Sequence, residues 1–341
     1  MKLLVTTTTA LATTLSFAAC IAAHKSAVPT HTSPGCSTTT LPDGLKLGQS
    51  KYVNITSNSV NGSASIRRYR IHVPESYEHG VPVPLIMSFH GRTRTAKSQE
   101  ALSQFSNQTF GFEGISVYPQ GLASGNKTQW QGDPDQPASI NDVQFTLELL
   151  THLTSNFCID LAAIYASGKS NGGGFTGILA CDPVASQKFA AFAAVSGAFY
   201  LDQTTQQLPL CKPNLEQRSA IPFMELHGAK DDTIAYHGGE NTRHNANSTD
   251  VPEYVNAWAV RDGLDPNANV TGTLCEGDKL VTTHKWGETL LHYKYANMEH
   301  DWMSQFGNSD SEVNLTCKEA DATRVILDWF KKWRFIEAPV Y

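Results

Sequence analysis

Apolar segments rich in β-branched residues alternate along the chain with segments in which apolar residues recur at helical spacing. Uninterrupted apolar runs of this length are typical of strands buried on both faces of a parallel sheet. Six such runs predict strands at residues 68–73, 84–89, 114–118, 162–166, 189–195 and 221–226, and a strand-like run also covers residues 290–296.

Between these runs the chain carries helical patterns. Residues 141–157 place Val143, Leu147, Leu150 and Leu153 on one face of a helix. Further helices are predicted over residues 172–180, from about residue 252 through Trp258, and over residues 320–333. Strands that alternate with helices predict an α/β fold, with a mostly parallel central sheet and helices on both faces.

The sharpest chemical signal is the pentapeptide Gly168-Lys169-Ser170-Asn171-Gly172, which lies between a predicted strand and a predicted helix. A serine between two glycines in a strand-turn-helix setting is the nucleophile motif of α/β-hydrolases, in which the strained turn exposes the hydroxyl above the sheet. Ser170 is therefore the candidate nucleophile.

A nucleophilic serine needs a base and an acid, which in this fold follow it in the order Ser, Asp, His. Asp231 follows the predicted strand 221–226 and is the first candidate acid, with Asp232 as the alternative. His300 follows the run 290–296 and is the candidate base. Of the other histidines beyond Asp231, His292 lies inside that run, while His237 and His244 lie in polar loops.

Hydrolysis through a tetrahedral intermediate also requires two donors for its oxyanion. The backbone amide of Asn171, directly after the serine, is one candidate. The second is the backbone amide of Arg92, in the turn that ends the predicted strand 84–89. This chemistry needs neither a metal ion nor an organic cofactor, so no cofactor is expected.

The N-terminal residues have the layout of a secretory signal, with Lys2 before a threonine-rich apolar run. The run is too short and too polar for a membrane span. We expect a signal peptide over residues 1–22, cleaved between Ala18 and Ala27, then a polar N-terminal arm over residues 23–62. Residues 63–341 would form one α/β-hydrolase catalytic domain.

Cysteine and asparagine patterns agree with an extracellular destination. Six cysteines lie beyond the signal segment and, in an oxidising compartment, predict three disulfides whose pairing stays open: Cys36, Cys158, Cys181, Cys211, Cys275 and Cys317. Seven asparagines match the glycosylation acceptor pattern: Asn54, Asn61, Asn107, Asn126, Asn247, Asn269 and Asn314. Without a Cys-x-x-Cys pair, metal binding is not expected.

The net charge of −6 and the scattered basic residues exclude the electrostatic pattern of a nucleic-acid or anionic-membrane binder. Neutral substrates are favoured, and the protein is expected to act as a monomer.

Several motifs in combination resemble the fungal secreted feruloyl esterases related to polyhydroxybutyrate depolymerases. They are His90-Gly91-Arg92, Tyr118-Pro119-Gln120-Gly121, Trp130-Gln131-Gly132, the run from Gly168 to Phe175, His227-Gly228 with Asp231, and His300-Asp301-Trp302. The resemblance spans about residues 36–333. It implies release of ferulate and p-coumarate from plant cell-wall polysaccharides such as arabinoxylan, with Ser170, Asp231 and His300 as the triad.

The acyl pocket is the least determined part of this interpretation. Aromatic residues near predicted strand ends are candidates for stacking on a phenolic ring, or equally for core packing: Tyr118, Trp130, Phe199, Tyr200 and Trp302. Two enzyme alternatives share the whole triad, an acetyl xylan esterase and a polyhydroxyalkanoate-type polyester depolymerase. A catalytically inactive carbohydrate-binding protein on the same fold is the alternative from another class.

Overall fold

The computed structural model describes residues 31–216 and 218–336. Within these ranges the chain forms a ten-stranded central sheet, in the order β1-β2-β4-β3-β7-β8-β9-β14-β13-β12, and two separate two-stranded ribbons, β5-β6 and β10-β11. The strands are β1 (Ser50–Val60), β2 (Ser63–His72), β3 (Val83–Phe89), β4 (Ile115–Gln120), β5 (Ala123–Ser124), β6 (Lys127–Thr128), β7 (Ile159–Lys169), β8 (Ala191–Val195), β9 (Phe223–Gly228), β10 (Gly239–Glu240), β11 (Asn247–Ser248), β12 (Val270–Leu274), β13 (Val281–Trp286) and β14 (Leu290–Tyr295).

Six neighbouring strands at the centre of the sheet, from β4 to β14, run parallel, and antiparallel strands complete both edges. This confirms the predicted fold class. All eleven residues of β7 are buried. Because successive side chains of a strand point to opposite faces, Ile164 and Ala166 enter one apolar core while Ala163 and Tyr165 enter the other.

Helices cover both faces of the sheet. They are α1 (Ala96–Ser103), α2 (Asp142–Asn156), α3 (Asn171–Cys181), α4 (Val251–Arg261) and α5 (Ala322–Phe330). Apolar side chains of α2, α3 and α4 belong to one core, and those of α1 and α5 belong to the other. Short 3-10 turns occur at Pro34–Ser37, Pro42–Gly44, Gln108–Phe110, Ala185–Gln187, Gly277–Lys279 and Lys318–Ala320.

Side-chain caps explain where several helices begin. Asn141, Asp250 and Asp321 each accept a hydrogen bond from a backbone amide in the first turn of α2, α4 and α5. Thr95 forms a reciprocal capping box with Ser98 at α1, a helix that the apolar spacing did not predict.

The expectation of a polar arm over residues 23–62 needs correction. Residues 50–60 form β1, an edge strand paired with β2 along most of its length. Val53 and Ile55 of β1 are buried in the core, because alternate positions of this polar-looking segment face inward. The predicted signal peptide, residues 1–22, lies outside the described residues.

Three disulfides join the six cysteines in the pairs Cys36–Cys158, Cys181–Cys211 and Cys275–Cys317. The first fixes the segment before β1 to the start of β7, and the second ties the loop after β8 to the end of α3. The seven asparagines of the acceptor pattern are all exposed or partly exposed. No helix in the described ranges has the length and apolar character needed to cross a membrane.

Candidate active site

Ser170 occupies the sharp turn between the end of β7 and the start of α3. Its backbone lies at φ 59° and ψ −124°, a region that side-chain-bearing residues rarely adopt. The Ser170 amide donates to the Val195 carbonyl at 2.9 Å, and the Ser170 carbonyl accepts from the Gly174 and Ala198 amides. These bonds hold the turn, which is the geometry that the motif predicts.

Glycine is required at the flanking positions because other backbone segments approach too closely for a side chain. A Cβ atom at Gly168 would lie 2.3 Å from the Gly172 carbonyl oxygen, and one at Gly172 would lie 2.1 Å from the Phe89 carbonyl oxygen. A Cβ atom added at Gly91 would lie 3.3 Å from the Cβ atom of Ser170. The turn after β3 and the serine turn are thereby packed directly together.

Asp231 and His300 meet in loops that follow the neighbouring strands β9 and β14. His300 Nδ1 lies 2.6 Å from Asp231 Oδ2, and the His300 ring lines the same cavity as Ser170. Gly228 permits this contact between loops, since a Cβ there would lie 2.2 Å from the Glu299 carbonyl oxygen. The structure thus brings together the three residues that chain order selected.

The Asp231 carboxylate is buried but well provided with donors. Oδ1 accepts from the Thr233 and Ile234 amides, at 2.9 and 2.8 Å, and Oδ2 lies 3.2 Å from His227 Nε2 besides its bond to His300. Burial alone would raise the pKa of Asp231, but the hydrogen bonds from His227 and His300 outweigh it and hold the pKa well below its usual range. Asp231 is therefore ionised near neutral pH.

The other candidates for acid and base are placed elsewhere. Asp232 is exposed, and among the described residues its carboxylate accepts one hydrogen bond, from the Thr233 hydroxyl at 3.4 Å. His292 is buried beside Glu225, and His237 and His244 are exposed, with Nδ1 of each near a surface carboxylate.

The residues of the two candidate oxyanion donors line the same cavity as Ser170. Asn171 begins α3, where the helix terminus favours negative charge, and Arg92 lies in the turn after β3. Within the described ranges neither backbone amide donates to another group of the protein, whereas the adjacent Thr93 and Arg94 amides donate to carbonyls. Both amides are thus available to a ligand.

Trp130 links the two turns that carry these amides. Its backbone amide donates to Asn171 Oδ1 at 2.8 Å, and its indole Nε1 donates to the His90 carbonyl at 2.9 Å. The ring stacks on Phe175 of α3 with centroids 5.4 Å apart. Trp130 therefore connects the turn after β3 to the start of α3 from within the core.

Three of the five aromatic candidates for substrate contact line neither this cavity nor the groove beside it, whereas Phe199 lines that groove. Tyr118, Trp130 and Trp302 are at most 1% exposed and pack within the protein, which corrects their assignment to the pocket. Trp302 donates from Nε1 to the Thr323 hydroxyl at 3.1 Å. Tyr200 does line the cavity beside Ser170.

The cavity around Ser170 has a volume of about 340 Å³ and is lined mostly by polar and charged residues. Arg243 is one of the lining residues, and its two terminal guanidinium nitrogens donate to Asp133 at 2.8 and 3.0 Å, one of them also to the Tyr200 hydroxyl at 3.1 Å. Arg92 adds an ion pair to Asp135 at 2.7 Å. Among the described residues, no cluster of three or more His, Cys, Asp or Glu side chains is arranged to hold a metal ion.

A larger apolar groove of about 680 Å³ adjoins this cavity and shares Ala198 and Tyr200 with it. We call it the apolar groove. Its wall includes the Cys181–Cys211 disulfide and the apolar residues Ile178, Phe199, Leu201, Leu208, Pro209 and Leu210.

Sequence reasoning missed several side chains of the site. Lys169 Nζ donates to the His300 carbonyl at 2.9 Å and pairs with Asp310 at 2.9 Å, so it anchors the histidine loop. The position of Lys169 next to the candidate nucleophile was a sequence signal that could have pointed to it. Arg243 and Asp133 lie in irregular loops, where no pattern singles them out.

No protein-family model matches the chain. In sequence it is similar to feruloyl esterase B of Piromyces equi, with 26% identity over 218 residues, which cover 62% of this chain and 38% of that protein. Feruloyl esterase D of Neurospora crassa is 29% identical over 213 residues, 58% of this chain and 62% of that protein. The matches thus span less than two thirds of either relative's length.

Among solved structures, the chain is similar to the acetyl xylan esterase from Aspergillus awamori. The TM-score is 0.55 at 17% identity, covering 82% of this chain and 99% of that one. The fold is therefore that of an α/β-hydrolase. In sequence the chain is therefore similar to feruloyl esterases, as its motifs indicated, and in fold it is similar to an acetyl xylan esterase.

The buried ring of His90 provides a first prediction. The Gly121 amide donates to its Nε2 at 3.0 Å, so the proton sits on Nδ1, which donates to the Gly91 carbonyl at 2.7 Å. Burial lowers the pKa of His90 to about 4. As the pH falls, His90 of the unfolded chain is protonated near pH 6.5, whereas His90 of the folded chain is protonated only near pH 4. Acid therefore favours the unfolded state, and the free energy of unfolding should decline by up to about 3 kcal/mol between these two pH values.

Two measurements check this expectation: the free energy of unfolding at pH 7 and pH 4.5, and an NMR titration of the His90 ring. The ring in urea-unfolded protein, titrating near pH 6.5, is the control. A native His90 that protonates at the same pH as the unfolded control would contradict the prediction.

Proposed function

We propose that this chain is a secreted serine carboxylic-ester hydrolase that cleaves ferulate and related hydroxycinnamate esters of plant cell-wall polysaccharides. The observation that carries the proposal is the 2.6 Å contact of His300 Nδ1 with Asp231, at a cavity that also holds Ser170 in its strained turn. The feruloyl esterase relatives support the substrate class, and the three disulfides suit an oxidising, extracellular compartment.

In the proposed reaction His300 takes the proton of the Ser170 hydroxyl as its oxygen attacks the ester carbonyl. The Arg92 and Asn171 amides stabilise the oxyanion. The intermediate collapses to an acyl-enzyme, and His300 gives the proton to the departing sugar hydroxyl. Water, activated by the same histidine, then releases the acid and restores the serine.

The protonation state of His300 suits this role. Burial lowers its pKa and the nearby Lys169 ammonium lowers it further, while the hydrogen bond to Asp231 opposes both. The ring is therefore neutral, as a base must be, near neutral pH. Asp231 stabilises the imidazolium that forms during each proton transfer.

The apolar groove favours an aromatic acid over acetate. An acetyl group needs no second cavity, whereas a hydroxycinnamoyl group carries a flat apolar ring that gains from burial. The polar cavity, lined by Arg243, Asp133 and Asn241, suits hydroxyl groups of a sugar.

The nucleophile is tested by Ser170→Ala. Hydrolysis of methyl ferulate should fall by about 10⁶-fold in kcat, as expected when a triad serine is removed. A fluorophosphonate probe should label the wild-type protein at Ser170 and leave the variant unlabelled. Residual turnover near the wild-type rate, or labelling of the variant, would reject the mechanism.

The acid is tested by a matched pair of substitutions in adjacent residues. Asp231→Asn should lower kcat by about 10⁴-fold, because the neutral amide no longer orients His300 or stabilises its cation. Asp232→Asn, which changes an exposed carboxylate, should stay within about twofold of the wild type. The reverse ranking of the two kcat values would move the acid to Asp232.

Substrate preference is tested at Leu210, which lines the apolar groove and is 79% exposed. A charge introduced by Leu210→Asp should raise KM for methyl ferulate about five- to tenfold, since it removes roughly 1 kcal/mol of apolar contact. Hydrolysis of a naphthyl or xylan acetate should serve as the comparison. Ile66→Asp, at an exposed residue that lines neither the cavity nor the apolar groove, is the control. An unchanged KM for ferulate would exclude the apolar groove as the ring site, and a wild-type enzyme active on acetate but not ferulate would overturn the substrate class.

A further inference from the structure

A buried row of ionisable side chains continues behind the triad acid. Glu225 and His227 are two residues apart on β9 and so lie on the same face of the strand. His292 of β14 is the partner of Glu225 in the parallel ladder. All three are at most 2% exposed, and the reaction described above uses none of them.

Both ring nitrogens of His227 face acceptors. Nδ1 lies 2.9 Å from Glu225 Oε1. Nε2 lies 2.9 Å from the Ile234 carbonyl oxygen and 3.2 Å from Asp231 Oδ2. A neutral imidazole carries one N–H and one lone pair, so either tautomer would turn a lone pair towards an oxygen. With Glu225 and Asp231 both ionised, the surroundings are satisfied only by a ring that carries both protons.

The charges around the ring agree with this state. Glu225 lies on its own strand and Asp231 on the following loop, while His292, Tyr236 and His300 lie beyond them. Burial would lower the pKa of His227, but the two carboxylates overcome it and raise the pKa to about 10. The second oxygen of Glu225 lies 2.7 Å from His292 Nδ1, although the two atoms are not aligned for a hydrogen bond.

We propose that His227 is a positioning residue of the active site: as an imidazolium held by Glu225, it fixes the Asp231 carboxylate in its ionised form and so orients His300. The inference rests on the proposed function. The row then alternates in charge, from Glu225 through His227 and Asp231 to the His300 cation that forms in the reaction. Glu225 offsets the charge of His227, which would otherwise oppose that cation.

The test is His227→Gln, which retains a donor for Asp231 but removes the positive charge. We expect kcat on methyl ferulate to fall on the order of 10- to 100-fold, with KM within about threefold. Loss of the cation raises the pKa values of Asp231 and His300, so the acid limb of kcat/KM should move to higher pH. His79→Gln, at an exposed histidine, is the matched control and should behave as the wild type.

A double-variant cycle separates positioning from folding. If His227 acts through Asp231, then Asp231→Asn/His227→Gln should be no slower than Asp231→Asn alone. A merely structural His227 would lower the melting temperature while the folded variant kept the wild-type kcat and pH profile. That result, or losses that multiply in the double variant, would overturn the inference.

A spectroscopic measurement on the wild type keeps the test independent of how the variant folds. In ¹⁵N-labelled protein at pH 8, both ring nitrogens of His227 should show the shifts of a protonated imidazolium, and a neutral ring would refute the proposal. The proposed function fails separately, if the wild type is inactive or Ser170→Ala retains activity. An active wild type, an inactive Ser170→Ala and a His227→Gln variant with a wild-type profile would reject the inference alone.

Discussion

The strained backbone of Ser170 is the constraint on which the rest of the site depends. A non-glycine residue at this φ and ψ costs on the order of 1–3 kcal/mol and persists only where its surroundings fix it. Here the fully buried β7, the hydrogen bond to Val195 and the close approach of Gly91 all hold the turn in place. These contacts come from a glycine or from strands in the centre of the sheet. The conformation of the Ser170 turn therefore requires the complete fold.

The parallel sheet converts distant sequence positions into one site. The carboxyl ends of parallel strands share an edge, and Arg92, Ser170, Asp231 and His300 each lie in a loop after such a strand. Asp231 and His300 are 69 residues apart, yet they follow β9 and β14, which are paired neighbours. Gly228 then allows the two loops to touch. The sheet topology thus brings the loops near one another, and glycines at the points of contact allow the closest approach.

The central strands and the arrangement of Ser170, Asp231 and His300 follow from the sequence, because buried parallel strands are uninterrupted apolar runs and the motif order is fixed. The edge strands β1 and β12 were missed since they are largely polar, with inward residues only at alternate positions of β1 and an almost wholly exposed β12. The assignment of aromatic residues to the substrate pocket was wrong for another reason. A large ring suits a core and a pocket equally, and only the packing of Trp130 between Asn171 and His90 decides between them.

Buried charge links this site to the stability of the fold. A lone ionised carboxylate at the position of Asp231 would be expelled or neutralised by its low-dielectric surroundings, so its charge persists only with the donors and cations around it. The same holds for Glu225, since burial would raise its pKa but His227 and His292 keep it below the usual value. Removing any one member therefore leaves its neighbour uncompensated. In the proposed mechanism, catalysis and folding would depend on one set of paired charges, and this pairing accounts for polar groups buried this deep.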